Sequence, residues 1–300
     1  MRITASIVTH RTDARELRRC TECVLRCKAL TRLDIIDNSP DDALRSAVSN
    51  ERVHYRHVEN RGYGAGHNIA MREALKAHTD CHLVLNADTF WEGDVITPMA
   101  EYMASHSNVG IMMPKVYYPD GALQLTARRL PSPFDLLVKR FLPHKLGQRR
   151  MSRFLLERAD HDKIINAPFL PGSFLLMRRE ALEAEGLFDE RFFMYPEDID
   201  ITRRLHRRWL TLHYPAVSIE RRLAPQPPHA PHSFRQHDSL FQQMGLAARP
   251  RTPRHEPAPR GRNAPSAARR SHPAQPRLMP SPPPLTASCH FTQPRKMNTN

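Results

Sequence analysis

From Ile3 to Met113 the chain alternates short apolar runs with amphipathic ones, and polar clusters follow three of the apolar runs. ITASIV (3–8) reads as a buried strand, and Asp13 to Ala29 as a helix capped near Thr12 or Asp13. Leu33 to Asp37 is a second strand running into DNSPDD, and Val53 to Val58 a third. RGYGAGHN then opens a helix that runs through His78, and His82 to Asn86 is a fourth strand ending in NAD. Asp94 to Ser105 reads as helix, Val109 to Met113 as strand, and YYPDGAL as a hairpin turn on Pro119-Asp120-Gly121. Strands alternating with helices at this spacing build βαβ units. The expected fold is therefore α/β, a mostly parallel sheet flanked by helices, with ligands at the strand C-termini. The polar clusters lie where that rule puts a site: Asp37 and Asn38, Asn60 to Asn68, Asn86 and Asp88.

A second concentration of chemistry lies in FDERFFMYPEDIDITRRL, Phe188 to Leu205. Pro196 has no N–H to give, so a helix must begin at or after it. Ile201 and Leu205, four apart, give that helix an apolar stripe and turn its first carboxylates toward whatever lies in front. A helix N-terminus favours negative charge, so Glu197, Asp198 and Asp200 can stay ionised while partly buried. Two readings fit an isolated EDxD: acids that cap the helix, or a general base behind an apolar FFMY wall.

The net charge of +14 suggests a nucleic-acid binder until it is divided. Residues 1–220 hold 32 Lys+Arg against 29 Asp+Glu, and residues 221–300 hold 13 against 2, with 16 of the 27 prolines. The basic character thus belongs to the tail, which has too few apolar residues for a core and is expected to be disordered from about residue 222. With few aromatics and no recognisable binding motif, its charge supports only weak, salt-sensitive association with nucleic acid. No secretory leader is legible at the start, and no apolar run reaches the ~20 residues that cross a bilayer. Five cysteines, an odd count, suit reduced thiols in the cytoplasm. Cys20, Cys23 and Cys27 share one helix face with Val24 and read as buried structural thiols rather than zinc ligands. Between residues 134 and 158 a basic amphipathic segment, with Phe134, Leu137, Val138 and Phe141 on one face, fits either an anionic membrane surface or a helix packed over the site.

Glycines at 62, 64 and 66 allow close backbone approach to a ligand, though the pattern is neither GxGxxG nor a P-loop. Asp88 closing an apolar strand is a carboxylate placed for a hard cation. In order, SIVTHR, DNSPDD, NRGYGAGHN, LVLNADT, PGSFLLMRREAL and GLFDERFFMYPEDIDITRRL strongly resemble glycosyltransferase family 2, most of all bacterial rhamnosyltransferases of O-antigen and cell-wall assembly. The resemblance covers about residues 3–219. It implies a GT-A fold (Rossmann-like), Mg²⁺ or Mn²⁺, a nucleotide-diphosphate sugar donor (dTDP-rhamnose or a UDP-sugar), a glycan or polyprenyl-linked acceptor, and inversion at the anomeric carbon. Carried over by position, it makes Asp37 and Asn38 the base contact and Asn60, Gly62, Gly64, Gly66 and Asn68 the donor loop. Asp88 becomes the last acid of a DxD-type motif that begins here with Asn86. Gly172 and Ser173 become the acceptor-side strand entry. Glu197 and Asp198 become the acid pair, with Asp198 the base and Asp200 its support. The expected location is the cytoplasm, peripheral on the inner face of the plasma membrane.

Three other classes compete: a nucleotidyltransferase, for which SIVTHRTDAREL lacks the basic glycine-rich signature; a nucleic-acid-binding protein, argued from the tail alone; and an inactive member of the same family. The third follows from the composition break near Glu220, where family-type histidines are expected and Glu220, Arg221 and Arg222 stand instead. The stretch Gln236 to Pro257 has a permitted codon spelling that, read one nucleotide later, gives a family-like helical segment. The domain is therefore taken as 1–220, and 221–300 as a frameshift product. Sequencing the gene checks this: codons for 236–257 that cannot spell such a segment in the next frame refute it.

Overall fold

The computed structural model describes residues 1–131 and 150–222. The tail from residue 223, and most of the basic amphipathic segment, lie outside the described residues. Within them the chain forms β1 (Ile3–Thr9), α1 (Ala14–Leu25), β2 (Leu30–Asp37), a 3-10 turn (Ala43–Ala47), β3 (Val53–His57), α2 (Tyr63–Lys76), β4 (Cys81–Leu85), β5 (Thr89–Phe90), α3 (Ile96–Ser105), β6 (Val109–Tyr117), β7 (Leu123–Gln124), β8 (Ile165–Asn166), β9 (Phe174–Arg178), α4 (Arg179–Glu185), α5 (Glu197–Leu205) and β10 (Leu210–Arg221).

One sheet takes the order β3-β2-β1-β4-β9-β6-β10-β5, with β7 on β6 and β8 on β10. β1, β2, β3 and β4 are mutually parallel, as is β10 on β6. β9 runs antiparallel between β4 and β6. Successive residues on one strand face opposite sides of a sheet, and Ile35 and Ile36 are both fully buried, as is all of β4. Helices therefore cover both faces, which is why residues on both sides of β1 and β4 are buried rather than alternating with exposed ones.

Local chemistry accounts for the elements. Asp13 is the N-cap of α1, its carboxylate accepting from the N–H groups of Arg15 and Glu16. Cys20, Cys23 and Cys27 are buried free thiols as expected, and burial pushes the Cys20 thiol well up. Among the described residues no group of three His, Cys, Asp or Glu is placed to hold a metal ion. None of the described helices is long and apolar enough to cross a membrane.

Two departures from the sequence reading matter below. RGYGAGHN, expected to open a helix after a glycine loop, is already helical from Tyr63, so Gly64 and Gly66 lie inside α2. Their absent side chains admit the core: a Cβ at Gly64 would stand 2.8 Å from Phe188 Cβ, and one at Gly66 2.8 Å from Val8 Cγ2. The long strand β10 was not anticipated, because Pro215 interrupts its pattern. Proline cannot donate to a ladder, and the structure absorbs it in a register shift between Tyr214 and Ser218 before pairing resumes at Lys115.

Candidate active site

Parallel register brings the ends of β1, β2 and β4 to one edge of the sheet. The antiparallel β9 starts there too, Leu85 pairing with Phe174, so Gly172 and Ser173 arrive beside Asn86. A backbone bond from the Asn86 N–H to the Ser173 carbonyl, 3.0 Å, fixes that juxtaposition.

Asp37 is fully buried, and its carboxylate accepts from Thr9 Oγ1 (3.0 Å), the Ser39 N–H (2.9 Å) and the Tyr55 hydroxyl. Burial alone would raise its pKa, but the bonds from Ser39, Tyr55 and Thr9 together hold it below the ordinary value. It anchors the β2 turn and lines neither of the cavities described below. Asn38 does reach one: its Oδ1 is buried without a partner, and it lines a cavity of about 240 Å³ with Gly66, Arg61, Arg72 and Glu190.

Asn60 shapes the turn into α2, its Oδ1 accepting from the Gly62 N–H at 3.1 Å. Gly62 has φ +103°, and a Cβ there would meet Phe193 O at 2.1 Å, so no other residue fits. Asn68, expected on the donor, is instead spent on the protein. It donates to Phe188 O and Glu190 Oε1, both 2.9 Å, and accepts from the Phe188 N–H, clamping α2 to the segment that leads into the acidic turn. Tyr63, not anticipated as a site residue, shares one hydroxyl proton between Gly172 O (2.6 Å) and Asn86 Oδ1 (2.9 Å).

Pro196 immediately precedes α5, and Ile201 and Leu205 are fully buried, so the helix presents its first turn as expected. Glu197 and Asp198 are buried and share a cavity of about 180 Å³ with Tyr63, Asn86, Gly172, Ser173, Met194, Tyr195 and Arg221. Of the expected apolar wall, Met194 and Tyr195 line it, while Phe193 is half exposed. Asp198 accepts from the Gly172 N–H (3.1 Å) and the Ile199 N–H (2.8 Å). Burial raises its pKa, and those bonds with the charge of Arg128 draw it partly back. Glu197 Oε2 is buried without a partner, and burial followed by repulsion from Asp198 pushes the Glu197 carboxyl up to about 7. Asp200 does not join them. Two positions on turn it about 200° round the helix, where it pairs with Arg204 Nε at 2.9 Å. Arg204 in turn holds the carbonyls of Glu185, Gly186 and Leu187 at the C-terminal end of α4.

Asp88 lies a few residues past β4, and Arg221, the last residue of β10, faces it: Nε is 3.3 Å from Oδ2 and 3.4 Å from Oδ1. The Arg222 N–H donates to the Asp88 carbonyl at 2.9 Å. Arg128, missed in the sequence, is buried over the Phe169 ring, donates to Leu125 O at 3.1 Å and acts electrostatically on Asp198. Arg128 sits in no motif; Arg221 was marked in the sequence only as standing where a family-type histidine is expected, and its partner Asp88 is set by the sheet.

The model of "Glycosyl transferase family 2" matches residues 5–186. The chain is similar to N-acetylglucosaminyl-diphospho-decaprenol L-rhamnosyltransferase of Mycobacterium tuberculosis, 28% identical over 173 residues, 53% of this chain and 55% of that one. It is also similar to Rhamnosyltransferase WbbL of Escherichia coli, 25% identical over 189 residues, 60% of this chain and 68% of that one. The first of these matches thus spans only about half the relative's length. Among solved structures, GalNAc-T7 with UDP, GalNAc and Mn²⁺ aligns at a TM-score of 0.55 and 15% identity, over 80% of this chain and 47% of that one. The mannosyltransferase PcManGT of Pyrobaculum calidifontis with GDP-Man and Mn²⁺ aligns at 0.53 and 17%, over 81% and 62%. At such identities the structural likeness speaks for the fold, which is GT-A.

Glu197 generates a stability prediction. Its ordinary pKa is 4.5 and its folded value about 7. Between those values the unfolded chain releases the proton while the folded chain keeps it, so stability falls as pH rises through that window. Glu197→Gln removes the ionisation, so its stability relative to wild type should improve from pH 4.5 to pH 8, by at most roughly 3 kcal/mol. Thermal melts of both proteins at the two pH values check this; the same difference at both would refute it.

Proposed function

The chain belongs to glycosyl transferase family 2, and we propose that it moves a sugar, rhamnose, from a nucleotide-diphosphate donor to a glycan or lipid-linked acceptor hydroxyl, with inversion. The observation that carries the reading is Asp198, a buried carboxylate opening on a cavity at the sheet edge where Asn86, Gly172 and Ser173 converge. Rhamnose is supported only by the names of relatives at 25–28% identity.

In the proposed step the acceptor oxygen attacks the anomeric carbon as the bond from that carbon to the diphosphate oxygen breaks. The bonding pair leaves with the nucleoside diphosphate, and the hydroxyl proton passes to Asp198. One displacement inverts the centre. The Gly172 and Ile199 N–H groups favour the ionised carboxylate that must accept the proton. Burial favours the protonated form, so the pair leaves Asp198 a stronger base than a solvated aspartate.

Mg²⁺ or Mn²⁺ would meet the donor phosphates at Asp88 and neutralise the leaving charge. A hard cation needs oxygen ligands. Here Asp88 already faces Arg221, and Asn86 Oδ1 is held by Tyr63. With Arg221 in place these residues do not fit a divalent ion.

We also place the protein in the cytoplasm against the inner face of the plasma membrane, on the strength of the basic segment 134–158 and of the lipid-diphosphate named for a relative. Sedimentation with vesicles should show binding that requires anionic lipid; equal binding to neutral vesicles, or none to either, refutes it.

Asp198→Asn should abolish transfer, by a factor of at least about a thousand, while leaving donor affinity within about threefold, because the base acts on the acceptor proton. Released nucleotide and calorimetric donor binding, measured on the same preparation, check it. Turnover within tenfold of wild type would remove Asp198 from the role.

A further inference from the structure

Arg221 stands where the donor diphosphate would need a positive charge. Its side chain is mostly buried, it lines the cavity that holds Glu197 and Asp198, and its guanidinium faces both Asp88 oxygens. The backbone beneath it is fixed: Arg221 pairs with Thr89 and Glu220 with Phe90 in the β10–β5 ladder, while the Arg222 N–H holds the Asp88 carbonyl. The contact is therefore a product of sheet register, not a chance meeting of surface side chains. The Coulomb influence of Arg221 also reaches Arg128 and the Tyr63 and Tyr195 hydroxyls, so it bears on the whole cavity.

We infer that Arg221 takes the place of a divalent cation at Asp88, and that this chain holds a nucleoside diphosphate through the guanidinium without a metal ion. The inference rests on the proposed donor site. A guanidinium presents several N–H groups in one plane and matches phosphate oxygens in pairs, whereas a divalent ion beside it would meet like charge and lose its carboxylate ligand. Asp88 then orients Arg221 in place of binding a metal. Arg128, buried nearby, supplies a second fixed positive charge on the Asp198 side.

The test uses the full chain as wild type, Arg221→Gln and Arg221→Lys, with folding confirmed by circular dichroism. Mn²⁺ uptake is read by electron paramagnetic resonance, and dTDP and UDP binding by calorimetry in EDTA and in Mn²⁺. Wild type and Arg221→Lys should each bind nucleotide with the same affinity in EDTA as in Mn²⁺, within about twofold. Arg221→Gln should bind Mn²⁺ at least tenfold more tightly than wild type, and Asp88→Asn in that background should erase the gain. Its nucleotide affinity should fall at least tenfold in EDTA and recover with Mn²⁺. A wild type whose nucleotide affinity rises tenfold with Mn²⁺, or that takes up Mn²⁺ as tightly as Arg221→Gln, overturns the inference. The wild-type arm decides even if the glutamine variant fails to fold. Should no protein bind either nucleotide, the donor-site reading falls, while the Mn²⁺ comparison still decides what occupies Asp88.

Discussion

A carboxylate withdrawn from water costs several kcal/mol unless hydrogen bonds replace its hydration, and the site depends on how Asp198 meets that cost. Two backbone N–H groups do it. One, Ile199, is local and comes with the helix start. The other, Gly172, comes from a different part of the chain and is present only because β9 enters antiparallel beside β4. A side chain at 172 would crowd Asp198 Cβ at 3.3 Å and the Tyr63 ring at 3.4 Å. The Tyr63 hydroxyl on the Gly172 carbonyl then joins that peptide to α2. Sheet order, a glycine and a tyrosine together set the protonation behaviour of one acid.

Adjacent Glu197 has backbone bonds of its own, at Tyr195 and Glu197, which draw its pKa down without offsetting its burial. One of its oxygens is buried and unpartnered, and its neighbour is a second carboxylate, so its proton is retained to about pH 7. Burial thus raises both acids, and for Glu197 the charge of Asp198 adds to it. The pair keeps negative charge at the cavity limited near neutral pH, which suits a pocket proposed to receive a diphosphate.

The opposite wall is set by β10. Its bulge at Pro215 shifts the register against β6, and the resumed pairing carries Arg221 to Thr89 and so to Asp88. The charge facing the proposed diphosphate is in that sense a consequence of where a proline falls in a strand.

Much of this was legible in the residues. Apolar runs ending in polar clusters located the sheet edge, Pro196 located the start of α5, and Ile201 with Leu205 turned Glu197 and Asp198 inward. Those are local effects, governed by proline geometry and helical periodicity, and sequence carries them directly. Roles that need an inventory of partners were not legible. Asn68 and Asp200 stand in motif positions, yet their polar atoms engage Phe188 with Glu190, and Arg204. Asp37 is sealed beneath Thr9, Ser39 and Tyr55. The glycines proposed to approach a ligand admit Phe188 and Val8 instead. Sequence by itself determined the first four strands, where α5 begins and which of its faces is apolar. Only the tertiary structure decided which polar atoms remain free and which charge meets Asp88, because hydrogen-bond partners 26 to 133 residues apart are chosen by sheet order and register, and neither is written in any single segment.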